Sequence, residues 1–278
     1  MKPLAQKALV LFATLLVATA IQASSMSQSD LPMSQPNFQG FVPDQRRHMD
    51  EREEDPNLIR MMVAPSLYAV TNLLLDTYQE KRPESRFRIH QGTPDDLLDL
   101  LDDNYDFDLL LDAEISDGMA RVKDGWAVRT QVLAVGRVAL WAPLETVRST
   151  RVLSLRNDPI GLQHASSPYH RAGREVLERN EVLEEYENRL TPVRLGESLF
   201  DKVKNGDFPA AFIEYHRLVQ AGLHERREVL KMPSNHHGSI THSATMMRHG
   251  QSKDNVQEFW EFLFSDQAQR ILKDAGFD

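Results

Sequence analysis

Short apolar runs alternate with segments of helical periodicity from residue 58 onward, and this alternation limits the folds open to the chain more than any other feature. Leu58–Val63 is a run short enough for a buried strand. Leu67, Val70, Leu74 and Tyr78 then recur at helical spacing. Strands joined by helices build parallel sheets. The pattern therefore predicts an α/β fold with largely parallel sheets.

The alternation continues to the end of the chain. It predicts strands near Arg86–Ile89, Asp108–Asp112, Pro159–Leu162, Ala210–Ile213 and Ile240–Met247, and a long apolar stretch at Gln131–Trp141. It predicts helices starting at Thr93 and at Ser167-Pro168, a helix at Glu197–Lys204, and C-terminal helices that end at Gly276. The break at Pro143 divides the pattern into two α/β units.

Residues 1–23 have the three parts of a secretory signal. Lys2 and Lys7 precede an uncharged apolar run at Ala8–Ile21, and small residues follow at Ala18-Thr19-Ala20. A membrane anchor or a buried first helix is the alternative, but about 20 apolar residues are needed to span a bilayer. We therefore expect a cleaved signal and a periplasmic or secreted protein. Residues 24–57, rich in polar and charged residues, are predicted to be a disordered or charged linker.

Charge and cysteine content exclude several classes of function. The formal net charge of -9 argues against nucleic-acid binding, which needs a basic face. The chain has no cysteine, so thiol chemistry, cysteine-bound zinc and iron–sulfur clusters are excluded. Motifs of hydrolases, phosphate-binding glycine loops and metalloproteases are absent from the sequence. We expect no catalytic residues, hence no enzyme.

Four stretches carry a resemblance to a known family. They are Val63-Ala64-Pro65-Ser66-Leu67, the turn Gly92-Thr93-Pro94 with the later Asp106–Leu110, the helix start Ser167–Gly173, and the C-terminal stretch Asn255–Phe277. In order and spacing, the stretches resemble the molybdate-binding, type II periplasmic receptor family across about residues 59–277. The fourth stretch is typical of many solute-binding proteins and carries no information about the ligand.

The resemblance implies a two-lobed periplasmic binding protein fold, each lobe a mostly parallel sheet flanked by helices. Residues 58–134 would form lobe 1, with residues 247–278 returning to it, and residues 135–246 would form lobe 2. It also implies a monomer that binds molybdate or tungstate in the interlobe cleft and serves the permease of an ABC importer. No cofactor and no metal-ion site are implied.

Helix starts could bind such an anion without any lysine. The first N–H groups of a helix lack intrahelical acceptors and carry partial positive charge, so several starts facing one cleft form an oxyanion site. Ser66 stands at the first start and matches the family's first binding serine. The alternative is that Ser66 is an ordinary helix cap.

The second start departs from the family. Thr93-Pro94-Asp95-Asp96 replaces a run of small residues, and Pro94 removes one N–H donor. Thr93 with Asp96 resembles a self-satisfying capping box. Thr93 could still donate its hydroxyl to an anion, or the aspartates could point away and only stabilise the helix.

The remaining candidates belong to the second unit. Tyr169 matches a family position whose backbone donates, and it is either a pocket residue or a surface aromatic. After the strand ending at Ile213, Tyr215 is the family-like ligand candidate, with a register uncertain by one residue. Glu214 resembles an acid that some tungstate or molybdate receptors use to coordinate the metal centre; the alternative is a solvent-exposed strand end.

Histidines leave one further possibility open. His236, His237 and His242, with His90, His164 and His170, lie near the predicted loops, but their spacing gives no metal-ligand geometry. A receptor of the same fold that has diverged to another solute or a metal ion is therefore an alternative. So is an accessory or sensory binding protein that works without an importer.

Overall fold

The computed structural model describes residues 55–93, 96, 100 and 106–278. Its strands are β1 (Leu58–Val63), β2 (Arg86–Gln91), β3 (Leu109–Asp112), β4 (Ala127–Gly136), β5 (Val138–Trp141), β6 (Ile160–Leu162), β7 (Leu190–Pro192), β8 (Ala210–Glu214), β9 (Val229–Lys231) and β10 (Ile240–Met247). Its α-helices are α1 (Tyr68–Gln79), α2 (Ile115–Lys123), α3 (Pro168–Arg179), α4 (Leu183–Tyr186), α5 (Leu199–Lys204), α6 (Tyr215–Gln220), α7 (Asp254–Leu263) and α8 (Asp266–Asp274). Among the residues described, 3-10 turns lie at Thr150–Leu155 and Glu187–Arg189.

The first sheet has the strand order β2-β1-β3-β10-β4. Strands β1, β2 and β3 are parallel, whereas β10 runs antiparallel to both of its neighbours. Helix α1 buries Val70, Leu74 and Tyr78, which share one helical face, and α7 and α8 bury their apolar faces in the same core. The rings of Tyr78 and Phe259 meet edge to face at 4.9 Å, so the C-terminal helices belong to the first lobe.

The second sheet has the strand order β7-β6-β8-β5-β9. Here β6, β7 and β8 are parallel, and β5 is antiparallel to β8 and β9. Helix α3 packs close to this sheet because it has no side chain at Gly173. A Cβ at that position would lie 2.8 Å from the Leu162 side chain and 3.0 Å from Phe212.

Two segments connect the sheets. The apolar stretch predicted at Gln131–Trp141 is two strands: β4 ends at Gly136 in the first sheet, and β5 begins at Val138 in the second. The chain returns between β9 and β10. The Arg137 carbonyl at the first crossing accepts from Tyr215 N at 2.8 Å, which anchors the crossing to the second lobe.

The predicted two-lobed α/β fold is confirmed, although each sheet is mixed: in the described chain each has two parallel and two antiparallel strand pairings. The lobe boundaries at 58–134, 135–246 and 247–278 stay a prediction; strand β4 reaches Gly136 and β10 begins at Ile240. The predicted signal and nearly all of the predicted linker lie outside the described residues, as do Pro94 and Asp95. Within the described part of the chain, no helix has the length and apolarity to cross a membrane.

Candidate functional site

The carboxyl ends of the parallel strands hold most of the candidate residues. In the first sheet, β1 is followed by Ser66, β2 by Thr93, and β3 ends at Asp112. In the second sheet, β6 is followed by Gln163 and β8 ends at Glu214. Ligands of α/β proteins bind outside these ends, because the loops that leave them surround a crevice. The strand ends are therefore the first place to look for a site.

Ser66 does not cap helix α1. The N-cap position is Leu67, which makes no side-chain capping hydrogen bond. The Ser66 hydroxyl is buried and has no hydrogen-bond partner. The first amides of the helix have no intrahelical acceptor either. This helix start therefore keeps donors available, as an anion site requires.

At the second predicted helix start, the donors of Thr93 are already bonded to the side chain of Asp96. The amide and the hydroxyl of Thr93 both donate to Asp96 Oδ2 at 2.7 Å, and Asp96 N lies 3.4 Å from Thr93 Oγ1. The predicted capping box is thus confirmed. Gly92, Thr93 and Asp112 help to line a cavity of about 10 Å³, roughly the space of one water molecule.

Asp112 borders this cavity at the end of β3. Its carboxylate accepts from Thr245 Oγ1 at 2.8 Å. Burial raises the pKa of Asp112 to about 7, although the Thr245 hydrogen bond opposes the shift. Near neutral pH the group is therefore only partly ionised.

Helix α3 also satisfies its own start, through Ser167. The Ser167 hydroxyl accepts from Tyr169 N at 3.2 Å, and Pro168 occupies the first helical position, where no N–H is needed. Tyr169 is fully buried, and burial raises the pKa of its phenol well above the ordinary value. Its side chain, rather than its backbone, reaches across the lobes.

The Tyr169 hydroxyl joins the two lobes. It lies 2.9 Å from His242 Nε2 on β10 and 3.4 Å from His216 Nδ1 on α6. Gly136 leaves the space for it, because a Cβ there would lie 2.2 Å from the phenol oxygen. The surface alternative considered for Tyr169 is thus excluded, and His242 is a buried partner of the phenol.

His216 is the residue that connects Ser66 to this group. Burial lowers the pKa of His216 well below its usual value, and the nearby Ser66 carbonyl partly opposes the shift. Burial likewise lowers the pKa of His242 to about 4, so both rings are neutral at pH 7. The His216 ring stacks on Phe277 with centroids 4.6 Å apart. The sequence analysis gave His216 no role, since a single histidine after Tyr215 carries no signal.

Glu214 is buried beside the same residues, not exposed at the strand end. Gln163 Nε2 donates to Glu214 Oε1 at 2.7 Å, while Glu214 Oε2 is buried without a hydrogen-bond partner. The carboxylate is close enough to Tyr169 to add to the rise of the phenol pKa. The sequence did not predict Gln163, whose role depends on strands β6 and β8 being neighbours.

Tyr215 lies apart from these residues. Its ring packs against Lys231, with Nζ 4.6 Å from the ring centroid, and meets His224 edge to face. Tyr215 is the next residue after Glu214, so the two side chains leave the chain in different directions. The residues on either side of it, Glu214 and His216, are the ones that the structure brings near Tyr169.

The other histidines have separate local partners. His164 Nδ1 lies 3.0 Å from Ser166 Oγ, His170 Nδ1 lies 2.9 Å from the Gln163 carbonyl, and His237 Nδ1 lies 2.7 Å from the Gly238 carbonyl. Among residues 55–93, 96, 100 and 106–278, no group of three or more potential ligands could hold a metal ion.

A shallow depression of about 280 Å³ lies on the second lobe, lined by Ser154–Asn157, Glu185, Tyr186 and Arg189. It sits at the amino-terminal side of β6 and β7, away from the strand ends described above. Arg189 is held there by the carbonyls of Asp158 and Leu153, both at 2.9 Å. Two of its N–H donors are thus used by the protein itself.

We call Ser66, Tyr169, Glu214, His216 and His242 the interlobe cluster. Four polar atoms in it, Ser66 Oγ, Glu214 Oε2, His216 Nε2 and His242 Nδ1, are buried and lack a partner of normal hydrogen-bond geometry. Each such atom costs about 1–3 kcal/mol. A bound molecule that donates and accepts hydrogen bonds would recover that energy.

An ion pair between Arg171 and Glu114 also bridges the lobes, with Nη1 and Oε2 3.3 Å apart.

Comparisons with known proteins agree with this architecture. A profile of the family described as bacterial extracellular solute-binding protein matches residues 59–278. The molybdate-binding protein ModA of Rhodobacter capsulatus is 23% identical over 179 residues, which cover 62% of this chain and 69% of that protein.

Solved structures share the fold. The periplasmic molybdate-binding protein of Azotobacter vinelandii superposes with a TM-score of 0.70 at 18% identity, covering 79% of this chain and 98% of that one. The substrate-binding domain of a putative molybdenum ABC transporter from Clostridium difficile gives a TM-score of 0.65 at 16% identity, covering 80% and 98%.

Proposed function

Because the chain belongs to the family of bacterial extracellular solute-binding proteins, we propose that it binds a small oxyanion, molybdate or tungstate, between its two lobes. It would deliver this anion to the permease of an ABC importer. The names of the Rhodobacter and Azotobacter relatives support the choice of anion. The fold supports the mode of binding, since the strand ends of both sheets and two chain crossings surround the same region.

One observation carries the proposal: the interlobe cluster contains buried polar atoms that the protein itself leaves unpaired. Ser66 Oγ is the clearest of them, because it stands at a helix start that no side chain caps. Native proteins satisfy nearly all buried polar groups. A bound anion would accept from the Ser66 hydroxyl and from the first amides of α1.

The candidate residues take different proposed roles. Ser66 donates directly, and Glu214 faces the ligand with its free oxygen. Thr93 donates only if its hydroxyl turns away from Asp96. Tyr169 acts by holding the lobes together through His242. Tyr215 remains a proposed ligand residue, although its ring lies against Lys231.

Closure would follow from ligand binding. An anion that contacts both Ser66 and the second lobe favours the closed arrangement over the open one, which is a shift of population rather than a new fold. The permease would then recognise the closed shape. The Arg171–Glu114 ion pair would add to closure, by a small amount because both side chains are partly exposed to solvent.

Calorimetric titration tests the proposal directly. Purified protein would be unfolded, refolded without ligand, and titrated with molybdate, tungstate, sulfate and phosphate. We expect saturable heat with at least one of them. A flat titration with all four, over protein whose circular dichroism shows a refolded chain, would exclude an oxyanion receptor.

We further propose that the protein acts outside the cytoplasm as a monomer and has no catalytic activity. The family description, an extracellular solute-binding protein, supports the location outside the cytoplasm and a binding rather than a catalytic role. Turnover of a panel of ester and phosphate substrates, checked against a heat-inactivated sample, would contradict the last of them. Mass spectrometry of the secreted chain would locate the signal cleavage site.

A further inference from the structure

The interlobe cluster holds a buried carboxylate, which places a negative charge in a site proposed for an anion. Glu214 is only 8% exposed, and its Oε2 atom has no hydrogen-bond partner. Gln163 holds the other oxygen at 2.7 Å and so fixes the orientation of the group. A fixed acid with one free oxygen can accept one more hydrogen bond from whatever occupies the site.

No cation in the cluster balances this carboxylate. Helix α3 contributes the un-ionised phenol of Tyr169, α6 the neutral ring of His216, and β10 the neutral ring of His242. Arg137 at the chain crossing is bound to the carboxylate of Asp278. Asp112 at the end of β3 adds a second acid, not a cation.

A fully deprotonated anion would meet repulsion here. Two like charges a few Å apart in a site without bulk water repel strongly. One proton between the carboxylate and an anion oxygen replaces this repulsion with a short charge-assisted hydrogen bond. The proton can arrive on the ligand or be taken from solvent.

We propose that Glu214 makes oxyanion binding proton-coupled, with one proton shared between Glu214 Oε2 and an oxygen of the bound anion. The inference rests on the proposed function, because it concerns the same site. Hydrogen phosphate and hydrogen arsenate carry the proton into the site themselves. Molybdate, tungstate and sulfate carry none near neutral pH, so each of them must recruit one from solvent.

Proton uptake is measured by titrating the protein calorimetrically in two buffers of different ionisation enthalpy, between pH 6 and 8. We expect about one proton taken up per molybdate bound, and a molybdate affinity that rises toward tenfold for each pH unit of acidification. At pH 8 hydrogen phosphate should bind with no uptake. Equal uptake for both anions would contradict the inference.

Substitution of Glu214 identifies the acid. Glu214→Gln keeps the shape, so molybdate should bind with no proton uptake and at least tenfold more tightly at pH 8, while phosphate should not gain. Glu225→Gln is the matched control, since it removes one negative charge from a side chain of the second lobe that is 90% exposed; it should behave as the unsubstituted protein. Asp112→Asn should also retain the uptake.

The outcomes separate the two proposals. Binding of oxyanions without proton uptake, or uptake that persists in Glu214→Gln, overturns the coupling and leaves the receptor function standing. Uptake that disappears in Asp112→Asn also overturns it, because Asp112 would then be the acid. Should Glu214→Gln not fold, Glu214→Asp takes its place and must still take up a proton. Absence of binding by the unsubstituted protein at every pH overturns the receptor function itself.

Discussion

Helices α1 and α3 both begin next to a serine at the carboxyl end of a strand, yet the two starts use their serines in opposite ways. At α3, Ser167 accepts from the amide of Tyr169 and closes the helix end. At α1, Ser66 caps nothing, and its buried hydroxyl is left without a partner. The same residue type therefore stabilises the fold in one place and leaves a donor free in the other.

The difference comes from one position in the turn. Ser167 is the N-cap residue itself, in extended conformation, so its hydroxyl reaches the amide two residues on. At α1 the N-cap is Leu67 in helical conformation, and Ser66 lies one residue before it. A strand–serine–helix pattern thus cannot reveal by itself whether the serine is a cap or a ligand donor.

The largest expected effect comes from Ser66→Ala. If the free hydroxyl donates to a bound anion, the substitution should weaken the best-binding oxyanion by about 10- to 100-fold, since a hydrogen bond to a charged group contributes about 1.5–3 kcal/mol. The thermal midpoint without ligand should change little, because the hydroxyl has no partner to lose. Calorimetry and a melting curve measure the two effects. An unchanged affinity would make the two helix starts equivalent in function.

Tyr169→Phe tests the α3 side of the comparison. It removes the phenol oxygen and leaves His242 Nε2 buried, so we expect a loss of about 1–3 kcal/mol in the free energy of unfolding. Urea unfolding followed by circular dichroism measures it. Tyr186→Phe, the same substitution at another tyrosine of the second lobe, is the control. A stability equal to that of the unsubstituted protein would show that the phenol does not hold the lobes together.

Asp112→Asn tests the first lobe, which contains α1, through the pH dependence of stability. The pKa of Asp112 is raised to about 7, so the folded state holds its proton more tightly than the unfolded state, and this group's contribution to stability falls as pH rises from about 4 to 7. His242, with its pKa lowered to about 4, gives the opposite slope up to about pH 6.5. The free energy of unfolding of the variant, relative to that of the unsubstituted protein, should therefore rise by about 1–3 kcal/mol as the pH is raised from about 4.5 to 7.5. Urea unfolding at four pH values within that range would give parallel curves if Asp112 titrates normally.

Ser167→Ala carries the smallest effect. Loss of the cap should reduce the free energy of unfolding by about 1 kcal/mol, as cap removal does in general, and leave oxyanion affinity within about twofold. The same urea and calorimetric measurements apply. A large loss of affinity with normal stability would reverse the roles assigned to the two serines.

The fold was largely predictable, because it depends on patterns that are local in sequence. The apolar faces of α1 and of the C-terminal helices and most strands follow directly from periodicity. Helix α2 was missed since its nine residues include Gly118 and few apolar side chains. The sequence analysis did not predict which strands pair with the antiparallel strand β10, because strand pairing is a property of the tertiary structure.

The candidate site was predictable only in part. Ser66, Tyr169 and Glu214 were all named from the sequence, but their surroundings were not. Gln163, His216 and the free state of the Ser66 hydroxyl depend on which strand ends become neighbours in space. Burial decides whether Glu214 is a solvated acid or a charged group in the interior, and sequence spacing contains no information on it.

The space that Gly136 leaves for the Tyr169 hydroxyl has a consequence for sequence change over time. A methyl group at position 136 would lie 2.2 Å from that oxygen but 3.0 Å from the ring carbon that carries it. Gly136→Ala should therefore be severely unfavourable beside tyrosine and only crowded beside phenylalanine. Substitutions at positions 136 and 169 should therefore be coupled. A larger residue at position 136 would be tolerated only after Tyr169 had been replaced.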